Sequence, residues 1–140
     1  MKVYKFGGAS VKDANGVRNL QQIVAQESGD LVIVVSAMGK TTNALEAVLA
    51  DQLAGNDDGA KKKWDDIYAY HFGIIRGLGL GEECCEGLRR LVEELERNSV
   101  RGGSYEQSYD SVVSIGERMS TMIVAAYLRQ CGMDAVLWDM

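Results

Sequence analysis

Apolar and polar positions along the chain alternate between two periods. Lys2–Phe6 reads KVYKF, a short β-prone run that stops at the glycine pair Gly7–Gly8. After the turn GGAS, Val17, Leu20, Ile23 and Val24 recur at helical spacing, and Asp13 stands where an N-cap belongs. That predicts a helix running to about Glu27, ended by SGD. Leu31–Val35 reads LVIVV, an unbroken β-prone run of the kind that suits a strand buried on both faces of a parallel sheet. The loop SAMGKT follows, then a helix from about Thr42 to Leu53, with Thr42 and Asn43 placed to cap it. The first third of the chain is therefore β-loop-α-β-loop-α, the opening of an α/β sandwich with a mainly parallel sheet.

The pattern then changes. The polar stretch AGNDDGAKKK marks a surface connection, and two helices are predicted, from about Lys61 to Leu78 and from about Glu82 to Arg97. Leu88, Leu91, Val92 and Leu95 form the apolar stripe of the second. With no strand between them, these helices form an insert over about 60–100 in the α/β pattern. The Lys61–Lys63 run reads as a solvated helix start. A turn-rich break, NSVRGGSYEQ, precedes another helix opening near GERMS. Its buried stripe is Met119, Met122, Ile123, Ala126 and Tyr127, and Gly132 is its C-cap. DAVLW reads as a third strand. A three-stranded sheet ending there would leave an edge uncovered, so the chain is expected to be the front part of a longer domain.

Bulk properties narrow the field. The 140 residues are 46% hydrophobic and 25% charged, as expected of one soluble domain able to bury a real core. The net charge of −5 offers no global basic field for nucleic acid or an anionic membrane. No stretch has the make-up of a signal peptide or a membrane span, so the expected setting is cytoplasmic. The three cysteines, Cys84, Cys85 and Cys131, have no zinc-type spacing and read as buried or half-buried free thiols. The single histidine, His71, reads as a packed helix residue. There is no proline, so turns fall to the 16 glycines and to Asn, Asp and Ser.

The stretch VIVVSAMGKTTN has the strand–loop–helix order of a P-loop. That motif requires a glycine five positions before Gly39, and Val34 occupies it, inside the strand. The P-loop reading fails, while the strand–loop–helix context stands. Three segments then carry the candidate chemistry: KFGGAS, SAMGKTTN and SIGERMS. In open α/β sheets ligands lie beyond the carboxyl ends of the strands, where the first two would sit side by side. Gly7 and Gly8 let backbone approach an anion, next to a helix N-terminus. Lys5 shares a strand face with Val3. On a buried face its ammonium would require an anion, making it a candidate for neutralising a transferring phosphate. Glu117 beside Gly116 is placed either to favour a helix dipole or to hold a substrate ammonium.

Together VYKFGGASV, VIVVSAMGKTTNALEAVL and SIGERMSTMIVAAYL resemble the N-terminal part of aspartokinases, in the amino acid kinase family. Order and spacing match over nearly the whole chain, and the helical excursion resembles the insert of that family. Ala9 stands where the family ordinarily has Thr, and it is assigned no role. The resemblance implies an amino acid kinase-like sandwich that transfers the γ-phosphoryl of ATP, with Mg2+, to the side-chain carboxylate of L-aspartate. Residues 1–140 would be the substrate-side part of the domain, incomplete as an enzyme alone. Lys5 would bridge the ATP phosphates; Gly7, Gly8 and Ser10 would line the phosphate loop; Ser36, Thr42 and Glu117 would face aspartate. Lys40 reads as a surface lysine. A homo-oligomer is expected. Two alternatives are a non-catalytic assembly or aspartate-binding module, and a kinase for glutamate or carbamate. The helical insert and GERMS disfavour the latter.

Overall fold

The computed structural model describes residues 1–99 and 105–137. β1 spans Lys2–Phe6, α1 Ala14–Ala25, β2 Leu31–Val35, α2 Thr41–Leu53, α3 Asp57–Gly77, α4 Glu82–Ser99 and α5 Tyr105–Gln130. β1 and β2 pair in parallel with Lys2 opposite Leu31 and Phe6 opposite Val35. A parallel pair needs a crossover, and α1 supplies it. Its start is fixed as expected: the Asp13 carboxylate accepts the Gly16 N–H at 2.8 Å. Its end is fastened to β1 through Glu27, which accepts hydrogen bonds from the Tyr4 hydroxyl and the Lys2 ammonium. These two donors, Tyr4 above all, hold the Glu27 carboxyl below its ordinary range.

Register puts Tyr4, Phe6, Leu31, Ile33 and Val35 on one face, and this face packs into the core. Val3, Lys5 and Val34 share the other, and there Val3 is 58% and Val34 46% exposed. The expected burial of LVIVV on both faces is therefore corrected. One face of the sheet lies open, so Lys5 is exposed rather than forced into apolar surroundings. DAVLW is corrected as well: residues 133–137 carry no strand assignment, and Trp138 lies outside the described residues. Among the described residues the sheet has two strands.

The helical core is built from the predicted stripes. Leu88 and Val92 of α4 and Ile115, Met119 and Ile123 of α5 are fully buried, while Leu91, Met122, Ala126 and Tyr127 are half-buried. The side chain of Leu95 lies outside the described residues. α5 packs against both α2 and α4, and α3 against α2. Gly132 ends α5 at φ +89°, with the Met133 N–H bonded back to the Leu128 carbonyl at 3.0 Å, the expected glycine cap. The start of α5 differs from expectation. The helix begins at Tyr105, so Gly116 and Glu117 lie in its interior. Of the turn-rich break before it, residues 100–104 lie outside the described residues. The Lys61–Lys63 run lies on α3, where Lys61 pairs with Asp65 and Lys63 with Asp51. Cys85 is buried and Cys84 half-buried, but Cys131 is exposed at the end of α5, a correction to its expected burial.

His71 is fully buried in α3, the packed helix residue that the sequence suggests. Its Nδ1 lies 2.7 Å from the Ile67 carbonyl and so carries the proton, leaving Nε2 buried without a partner among the described residues. Burial pushes its pKa below the ordinary 6.5, partly offset by the Ile67 hydrogen bond. Below pH 6.5 the unfolded chain takes up a proton that the folded ring refuses. Stability is then full above the ordinary value and falls as pH drops beneath it. The expected slope is up to about 1.4 kcal/mol per pH unit. Denaturant titrations at pH 7.5, 6.5 and 5.5 check this. In His71→Gln the slope between 6.5 and 5.5 should largely vanish.

Candidate active site

The loops after β1 and β2 form one surface. The β-ladder extends one step beyond the strands through Ser36 N–H to Phe6 carbonyl at 3.0 Å. Gly39 N–H then donates to the Gly8 carbonyl, also at 3.0 Å, and stitches the second loop to the first. Gly8 has no room for a side chain: an added Cβ would lie 2.7 Å from the Ala37 carbonyl oxygen and 2.8 Å from that of Gly39. The first loop curls on itself through Ser10 N–H to Gly7 carbonyl at 3.0 Å and Val11 N–H to Gly8 carbonyl at 3.2 Å. Ser10 therefore has its exposed hydroxyl to offer a ligand, its N–H being already engaged. Gly7 is exposed, and a Cβ there would meet nothing. Of the glycine pair, Gly8 is demanded by packing, while Gly7 keeps backbone open to solvent.

The second loop turns sharply at Gly39, whose φ of +56° favours glycine. α2 begins at Thr41, one residue earlier than expected. Neither Thr42 nor Asn43 caps it: the N-cap position is Lys40, which makes no side-chain cap bond. Instead the hydroxyl of Thr41, 3% exposed, donates to the Met38 carbonyl at 2.6 Å and locks the turn. Thr42 is half-buried beside it, and Ser36 and Lys40 are exposed.

α5 completes the cluster. A Cβ on Gly116 would lie 3.0 Å from Ala37 Cβ, 3.0 Å from Leu45 Cδ1 and 3.2 Å from Thr41 Cγ2. The helix thus packs against the second loop and the start of α2 at its one residue without a side chain, and Glu117 is the next residue along. Glu117 is exposed. Its backbone carbonyl accepts from the Thr121 hydroxyl at 2.7 Å. Since Glu117 is twelve residues into α5, the helix-dipole reading of its charge fails, because that effect fades within the first turn.

The structure therefore gathers Gly7, Gly8 and Ser10 in the first loop, and places Ser36 on the adjoining loop, Thr42 in the first turn of α2 and Glu117 in α5 next to Gly116. Lys5 lies on the open sheet face, two residues before the glycine pair. Sequence reasoning missed Thr41, Gly39 and Gly116. The signal for Gly116 was available: Val112 and Ile115 extend the apolar stripe back through it, so the glycine sits within a helix rather than before one.

Comparison with known proteins fixes the family. The sequence model of the Amino acid kinase family matches residues 1–140. The chain belongs to the amino acid kinase family. Among relatives of this amino acid kinase-family chain, bifunctional aspartokinase/homoserine dehydrogenase 2 of Escherichia coli (strain K12) is 32% identical over 142 residues, covering 99% of the chain and 17% of that protein. Lysine-sensitive aspartokinase 3 of the same organism is 31% identical over 140 residues, covering 98% of the chain and 30% of that protein. In three dimensions the chain resembles the crystal structure of E. coli aspartokinase III in complex with aspartate and ADP in its R-state. The TM-score is 0.79 at 29% identity, over 96% of this chain and 30% of that one. The fold is the α/β fold of amino acid kinases. The chain spans between 17% and 30% of the length of these relatives.

Proposed function

We propose that residues 1–140 are the N-terminal, substrate-side part of an aspartokinase catalytic domain, with α3 and α4 as a helical insert. The reaction is transfer of the γ-phosphoryl of ATP to the side-chain carboxylate of L-aspartate, giving 4-phospho-L-aspartate and ADP. The observation that carries this reading is the junction of the two post-strand loops with α5 at Gly116. It ties the glycine turn after β1 to the loop after β2 and brings α5, with Glu117 next to Gly116, against the second loop. The likeness to aspartokinase III solved with aspartate and ADP supports it.

Phosphoryl transfer asks a protein mainly for positioning and positive charge. Lys5 bridges the ATP phosphates and offsets the charge that develops as the γ-phosphoryl leaves. Gly7, Gly8 and the Ser10 hydroxyl line the phosphate path. Ser36 and Thr42 donate to the aspartate carboxylates, and Glu117 pairs with its α-ammonium. Lys5, the Ser10 hydroxyl and backbone N–H groups are donors, so this end of the site fits phosphate oxygens. Mg2+ fits as an ion carried in on ATP, screening those oxygens. A cytoplasmic homo-oligomer belongs to the same reading.

Hydroxylamine, which traps acyl phosphates, tests the proposal. The full-length polypeptide carrying these residues should form aspartyl hydroxamate only with ATP and aspartate, and none with glutamate. The 140 residues alone should form no measurable product. Product from glutamate or carbamate at comparable rates would overturn the assignment. A full-length protein that binds aspartate yet forms no acyl phosphate would favour the non-catalytic module.

A further inference from the structure

We infer that Tyr70, on α3, is a positioning residue for the phosphate loop. Its hydroxyl donates to the Lys12 carbonyl, 58 residues away in sequence, at the end of the first loop. The same hydroxyl lies against Gly39, so that a Cβ on Gly39 would overlap it. One phenol group therefore touches both of the loops that the Gly39-to-Gly8 hydrogen bond stitches together.

The rest of α3 reinforces this placement. An Arg18 guanidinium N–H donates to the Gly77 carbonyl, and a Cβ on Gly77 would stand 3.0 Å from Ala14 Cβ. α3 thus lies along the start of α1 as a splint, with Tyr70 at the loop end and Gly77 at the helix end. Burial, and after it the nearby Asp13 carboxylate, push the Tyr70 pKa up, so the phenol stays a donor. The second helix of the α2–α3 pair, outside the sheet-and-loop frame, gains a mechanical purpose. It holds Lys12 and Gly39 in register, so that Gly7, Gly8 and Ser10 present one fixed surface to phosphate. Pre-organised donors of this kind assist transfer because they need not reorganise as charge develops.

This inference rests on the aspartokinase reading for its kinetics but not for its geometry, and the experiment separates the two. Tyr70→Phe keeps the ring beside Gly39 and removes only the hydroxyl. In the full-length protein we expect KM for ATP to rise about fivefold, from loss of one hydrogen bond of ordinary strength. KM for aspartate should stay within about twofold. Backbone amide exchange over residues 8–12 should quicken while exchange in α5 does not. A purely structural role for Tyr70 would lower the melting temperature and leave both KM values in place. That result, or unchanged exchange over residues 8–12, overturns the inference. If the wild-type protein forms no aspartyl hydroxamate, the proposed function falls, and the exchange comparison still decides whether Tyr70 tethers the loop.

Discussion

Lys5→Ala in the full-length protein is expected to lower kcat by about 100-fold or more while changing KM for aspartate little. The sheet geometry shapes this expectation. Lys5 lies on the face shared with Val3 and Val34, which is open, and not in the core. Removing its ammonium therefore creates no cavity and leaves no buried partner unpaired. The melting temperature should move little, since surface substitutions of this kind usually change stability by under about 0.5 kcal/mol. A loss of kcat without a loss of stability is the signature of a charge that acts on the transition state. If kcat is intact and only aspartate binding weakens, Lys5 belongs to the substrate side and its assignment to the phosphates is wrong. Steady-state kinetics with both substrates varied, beside a thermal melt, resolves the two.

Glu117→Gln should raise KM for aspartate about tenfold or more. A charge-assisted hydrogen bond to an ammonium contributes roughly 1.5–3 kcal/mol, and 1.4 kcal/mol is a factor of ten. KM for ATP should stay within about twofold. The interior position of Glu117 in α5 sharpens the test, because no helix-terminus charge effect is lost with the carboxylate. Glutamine is also a comparable helix former. The variant should melt with the wild type. An unchanged KM for aspartate would remove Glu117 from the substrate site.

How much of this was legible before the structure depends on the residue. β1 and β2 fall where the sequence places them because each is a short β-prone run with glycine or turn residues at its end. Asp13 is legible as a cap because its partner, the Gly16 N–H, is three residues away. Long-range facts were not legible. Alternation puts Lys5 and Val3 on one face, but whether anything covers that face depends on tertiary neighbours that no local pattern encodes. Gly116 misled because an interior helix glycine costs about 1 kcal/mol relative to alanine and so resembles a boundary. Its reason is the contact with Ala37 and Thr41, residues some 75 positions earlier in the chain. Thr41 and Thr42 are neighbours with the same hydroxyl, and only the fold decides which one turns back to Met38.

The bare crossing at Gly116 has a mechanical consequence. At Gly116 the backbone of α5 lies directly against the side chains of Ala37, Thr41 and Leu45, with no side chain of its own between them. Packed interiors are as dense as organic crystals and respond to force by switching arrangements rather than by yielding. A side chain larger than glycine at position 116 would therefore have to push α5 away from Ala37, Thr41 and Leu45. On the proposed reading, a substitution that displaces this 26-residue helix would carry Glu117 away from the aspartate site without touching Glu117 itself.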